Sequence, residues 1–196
     1  MLLRNLAFTY AVQGLKDIPD KPVPLLFELT RMNYSGTPLV EQLATVLGQN
    51  NFPKATNFLT SSLKHGELLL LFDGLDEVSS KERGQAVRQI KDLLRQYPDC
   101  RAVITCRTAV YKEQFTDITD RPLEIIEVTD QQIQYFLSAW EPDMPGNKSI
   151  EHFLRTLRER PRIMALARNP LLLTMIAYLY TDTNFVLPHS RAEFYM

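Results

Sequence analysis

With 196 residues, 45% hydrophobic and 23% charged, the chain has the composition of one ordinary globular domain or slightly more. That excludes disordered, collagenous and disulfide-scaffold classes. Lys plus Arg at 22 against Asp plus Glu at 23 leaves a formal charge of −1, so no overall basic field points to nucleic acid or an anionic membrane. Cys100 and Cys106 have no histidine at metal-ligand spacing, and His65, His152 and His189 are scattered. Two cysteines with no disulfide framework make a reducing cytoplasm the expectation, and the apolar stretch 163–180 is broken by Arg168, Asn169 and Pro170, so no membrane segment is expected. Glycine is scarce: 7 residues, about half the usual share of ~7%.

Leu2, Leu3, Leu6, Ala7 and Tyr10 recur at helical spacing, and Gly14 follows as a stop. The run 23–29 has strand length, with Pro22 and Pro24 suiting a strand start or a sheet edge. Thr37-Pro38 opens a helix ending near Gly48, and a second helix is expected over 53–64, closed by Gly66. Leu68 to Phe72 are five consecutive apolar residues between Gly66 and Asp73-Gly74, which predicts a strand buried on both faces. Residues 80–97 form an amphipathic helix with Val87, Ile90, Leu93 and Leu94 on one face, ended by Pro98. Further short strands are expected over 102–106 and 123–128.

The alternation predicts a parallel α/β sheet over residues 1–129. After Thr129 the pattern turns helical, with a helix capped by Asp130 and running to Trp140, a Pro/Gly loop over 141–147, and helices at 149–159 and 170–180. A helical domain over 130–184 is the expectation.

The richest stretch chemically is Leu68-Leu69-Leu70-Leu71-Phe72-Asp73-Gly74-Leu75-Asp76-Glu77. A carboxylate at the carboxyl end of a buried parallel strand stands where ligands bind in open α/β sheets, and it can hold Mg²⁺ directly or through water. This segment resembles the Walker B motif of NACHT domains, the STAND-class P-loop NTPases of signalling and defence proteins. There a small residue, here Gly74, follows the first acid, and further acids come after it.

The resemblance implies that Asp73 holds Mg²⁺ and that Asp76 with Glu77 supplies the water-orienting or general-base carboxylate. Thr105-Cys106-Arg107 is similar to the NACHT sensor segment, which makes Arg107 the cation approaching the γ-phosphate. The segment from Leu166 to Leu173 resembles the helical region whose proline, here Pro170, packs on adenine. Leu187-Pro188 and the run from Arg191 to Tyr195 look like the start of a winged-helix segment, residues 185–196. By the same resemblance the cofactors are ATP or ADP with Mg²⁺. The activity is a slow ATPase that drives nucleotide-controlled oligomerisation, with protein partners or self-association through the NACHT and helical surfaces.

One element of that family is missing from the 196 residues. No Gly-x-x-x-x-Gly-Lys-Ser/Thr phosphate loop occurs, and the sequence opens on residues resembling the helix that follows it. The expectation is a fragment truncated at its amino end, poor at binding or hydrolysing ATP alone, with the central strand of its sheet absent and a marginal fold. Alternatives are a nucleotide-independent interaction module or the product of a split gene.

Overall fold

A computed structural model describes residues 2–14, 21–118, 122–143 and 149–181. The chain divides into two compact units, Met1–Leu123 and Glu124–Met196. The expected winged-helix segment at 185–196 lies outside the described residues.

The first unit is built on a parallel sheet of three strands in the order β1 (Val23–Glu28), β2 (Leu68–Asp73), β3 (Arg101–Ile104). β1 pairs with β2 from Val23 opposite Leu68 to Glu28 opposite Asp73, and Leu69 to Phe72 pair with Arg101 to Ile104. Residue alternation assigns the side chains to two layers. Leu68, Leu70 and Phe72 of β2 join Leu25 and Phe27 of β1 and the half-buried Ala102 and Ile104 of β3 in the larger core. Leu69 and Leu71 face the other way, with Leu26 and Val103, against Leu3 of α1 (Leu2–Gly14). Because both faces are covered, β2 reads as an unbroken apolar run rather than an alternating one. Pro24 is tolerated because β1 is an edge strand.

The larger core is closed by α2 (Leu39–Gln49), α3 (Ala55–Lys64) and α4 (Arg83–Gln96). Each contributes one apolar stripe, such as Ala86, Val87, Ile90 and Leu93 of α4. Buried Gln42 fixes the entry to α2: its Nε2 donates to the Asn33 and Thr37 carbonyls at 2.9 and 2.8 Å, and its Oε1 accepts from the Asn33 N–H at 2.7 Å. Gly66, at φ +67°, turns the chain from α3 into β2, and a Cβ there would lie 2.8 Å from that of Asp99.

The second unit holds α5 (Asp130–Ser138), α6 (Ile150–Arg158), α7 (Pro161–Ala167) and α8 (Pro170–Thr181). Ile133, Leu137, Phe153, Leu157, Ile163, Ala167, Ile176 and Ala177 form its core. The Phe153 and Tyr180 rings stack with centroids 4.0 Å apart. Among the described residues no single helix is long and apolar enough to cross a membrane.

Three expectations from the sequence need correction. Among the described residues no strand forms over 123–128, and the sheet has three strands. Leu123, Ile125 and Ile126 are 88%, 75% and 76% exposed. The segment has strand-forming residues, yet a strand needs a hydrogen-bonded neighbour, and none is paired with it. The cap of α5 is Thr129 rather than Asp130: Thr129 accepts from the Gln132 N–H while the Gln132 side chain accepts from the Thr129 N–H, a reciprocal capping box. Finally, the helices expected at 149–159 and 170–180 leave out α7, which Pro161 starts and Asn169 separates from α8.

Candidate functional site

Four of the residues singled out in the sequence, Asp73, Asp76, Glu77 and Arg107, lie at the carboxyl ends of β2 and β3. β2 ends on Asp73, and Gly74 then takes a left-handed conformation, φ +81°, that a side chain would strain. A Cβ there would also stand 3.1 Å from a Glu77 carboxylate oxygen. The turn continues as one 3₁₀ turn, Leu75–Glu77.

Thr105 joins this turn to the end of β3. Its hydroxyl donates to Asp73 Oδ1 at 2.6 Å and accepts from the Gly74 N–H at 2.9 Å. Its backbone N–H donates to the Phe72 carbonyl at 3.0 Å, and its carbonyl accepts from the Leu75 N–H at 2.9 Å. One Asp73 oxygen is thereby fixed.

The next two acids diverge. Asp76, with a side chain 11% exposed, accepts from the Arg107 N–H at 3.1 Å through Oδ1 and pairs with Arg107 Nε at 3.1 Å through Oδ2. Both of its oxygens serve Arg107, whose own side chain is 79% exposed. Glu77 instead lines a cavity of about 390 Å³ together with Asp73, Glu28, Thr30 and Arg4.

Beneath the turn lies Arg83, the first residue of α4. Its Nε donates to the Leu75 carbonyl at 3.2 Å, and its Nη2 donates to the Asp76 and Val78 carbonyls at 3.2 and 2.8 Å. The Cys106 thiol, close by, has its pKa pushed above the ordinary range by burial and by the Asp76 charge, with Arg83 acting in the opposite direction.

Thr30, Arg4, Glu28 and Arg83 carried no signal as separate letters. Glu28 reaches the site through its register opposite Asp73, and Arg4 through α1 packing on the sheet. The tail of the apolar run 23–29 could have flagged Glu28, since a charged residue ending a strand beside Asp73's strand stands at the same sheet edge.

Pro170 belongs to the other compact unit, as the first residue of α8. Asn169 caps that helix, its Oδ1 accepting from the Leu171 and Leu172 N–H groups at 3.0 and 3.2 Å. Arg168 ties the preceding turn to the start of the unit, donating to the Val128 carbonyl at 3.2 Å and to Asp130 Oδ1 at 2.7 Å.

Among the described residues no group of three His, Cys, Asp or Glu side chains could hold a metal ion by itself. Mg²⁺ differs from such protein-caged ions: it keeps several waters and is held by one or two carboxylates together with substrate phosphates. Asp73, braced on one oxygen, with Glu77 on the same cavity, fits that mode. Arg4 in the cavity and Arg107 beside the turn are cations suited to phosphate oxygens.

Compared with known families, residues 1–144 match the model described as the NACHT domain. No curated protein and no solved structure matches the chain.

Proposed function

The chain belongs to the NACHT family, and from that premise we propose that it is a nucleotide-controlled signalling module whose carboxyl-edge acids receive the metal–phosphate end of ATP or ADP. The family is one of nucleotide-binding NTPases. The observation that carries the proposal is the shared cavity of Asp73 and Glu77 at the end of β2, with Asp73 braced by Thr105. Magnesium, when bound, supplies charge neutralisation at the phosphates. Asp73 is the residue that holds it, and the Thr105 hydroxyl keeps that carboxylate in one orientation.

Glu77, free of an ion-pair partner among the described residues, is the carboxylate that orients water. Asp76 is then a positioning residue: it aims Arg107, which meets the transferring phosphoryl group. In this reading the helical unit is the part that responds to nucleotide exchange by changing its partners or its self-association.

The 196 residues contain no phosphate loop, and this sets the affinity expected of them. Such a loop contributes several charge-assisted bonds of roughly 1.5–3 kcal/mol each. Losing about three removes very roughly 5–9 kcal/mol, against about 8 kcal/mol for micromolar binding. Such bonds are not additive, so the lower end of that loss applies: binding by this chain is millimolar, and turnover is slow or absent.

A thermal-shift titration with Mg·ATP and Mg·ADP tests this. The expected result is a shift that grows only at millimolar nucleotide and disappears in Asp73→Ala. Micromolar saturation that survives Asp73→Ala would overturn it.

A second reading, a nucleotide-independent interaction module, is favoured by Leu171, Met175 and Tyr178, an exposed apolar stripe on α8. It predicts no nucleotide-dependent shift at any concentration.

A further inference from the structure

The cavity at the end of β1 and β2 has an unbalanced lining: three carboxylates, Glu28, Asp73 and Glu77, and one cation, Arg4. An oligophosphate entering it meets repulsion unless that cation turns toward it. Arg4 is at present spent on Glu28, its Nη2 donating to Oε1 at 2.6 Å. Glu28 has a second partner: Arg31 Nε stands 3.1 Å from its other oxygen, Oε2. Glu28 therefore stays paired if Arg4 leaves.

Arg4 and Glu28 also border a second cavity of about 220 Å³, with Leu26, Phe27, Arg31, Val46 and Asn50. The ion pair is thus the common wall of two openings, and the Arg4 side chain is 68% exposed. An exposed ion pair is a weak interaction, whereas a guanidinium forking onto phosphate oxygens is among the stronger ones. Exchanging the first for the second is favourable.

We propose that Arg4 is a phosphate-contacting residue held in reserve by Glu28, and that it transfers to the oligophosphate of a metal-bound nucleotide entering the Asp73–Glu77 cavity. This rests on the nucleotide reading above and adds to it the source of a phosphate-binding cation within these residues. Glu28 acts as a reversible placeholder for phosphate, and its retained contact with Arg31 makes the exchange possible without baring a carboxylate.

The test is a binding cycle on the 196-residue chain, using Mg·ATP and Mg·tripolyphosphate as probes and NMR titration as readout. The proteins are the parent chain, Arg4→Ala, Arg4→Lys, Glu28→Gln, the Arg4→Ala/Glu28→Gln double variant, and Asp73→Ala. Arg4→Ala is expected to weaken both probes by about 5- to 10-fold, equally, because the contact is to phosphate. Arg4→Lys should recover part of that loss. Glu28→Gln is expected to strengthen both by about 3-fold or more, and the gain should vanish in the double variant. In the parent chain the Arg4 Nε–Hε resonance should move on titration with either probe.

If Glu28 acts only by repelling phosphate, Glu28→Gln gains as much with Arg4 absent as with it present, and the proposal is overturned. Unchanged binding in Arg4→Ala, with binding lost in Asp73→Ala, overturns the proposal and leaves the nucleotide reading standing. Binding retained in Asp73→Ala overturns the nucleotide reading itself, and no saturable binding of either probe by the parent chain up to about 20 mM overturns both.

Discussion

Arg83 illustrates what single residues contribute here, because one guanidinium satisfies three backbone carbonyls of the acidic turn. A turn of this kind, led by a left-handed Gly74 and followed by a single 3₁₀ turn, has few internal hydrogen bonds of its own. Hydrogen bonds to a charged donor are worth more than neutral ones, so Arg83→Ala should lower the stability of the first unit by about 1–3 kcal/mol. Arg83→Lys should restore only part of it, since an ammonium lacks the fork geometry. Urea unfolding would measure this, and a change below about 0.5 kcal/mol would contradict it. The acids Asp73, Asp76 and Glu77 were legible in the sequence because they follow a buried apolar run directly. Their division of labour was not, because it depends on partners 31 and 32 positions away, Arg107 for Asp76 and Thr105 for Asp73. Arg4 and Arg83 were silent for the same reason: a lone arginine on a helix is ordinarily a solvated surface residue.

Among the elements, those whose burial is local were readable, and those that need a distant partner were not. β2 is covered on both faces and was evident from five apolar letters; α5 was evident in outline, with the capping box shifting its start to Thr129. The segment 123–128 has the same kind of letters and forms no strand, since strand pairing is a property of two segments. The turn region after β3 shows how elements are tied by charge. Asp117 accepts from Lys91 and from Arg95 Nη2, both on α4, while Phe115 and Ile118 pack on the larger core. The Lys91 hydrogen bond, ahead of the charges of Lys91 and Arg95, holds the Asp117 carboxyl below its usual range. A carboxyl with a lowered folded pKa contributes stability that is complete above its unfolded value, about 3.9, and is lost as pH falls through the folded value. Asp117→Asn should therefore flatten the acid limb of the stability–pH curve below about pH 5 and leave its neutral region parallel to that of the parent chain. An unaltered acid limb would contradict the assignment.

On the scale of the whole molecule, two compact units each have a core of their own, and the family match over residues 1–144 spans all of the first and the start of the second. The parallel α/β class could be read from the alternation of strand-length and helix-length segments. The three-stranded extent of the sheet could not, because nothing in 123–128 by itself records whether a neighbour is present. The central claim is that a metal–nucleotide sits at the carboxyl ends of β1 and β2. Mn²⁺ in place of Mg²⁺ makes that position visible as paramagnetic line broadening. In a titration of the chain with Mn·ATP at millimolar concentration, amides of residues 28–30, 73–77 and 105–107 should broaden first and most, those of α3 should stay sharp, and Asp73→Ala should remove the pattern. Broadening centred elsewhere, or the same pattern in Asp73→Ala, would contradict it.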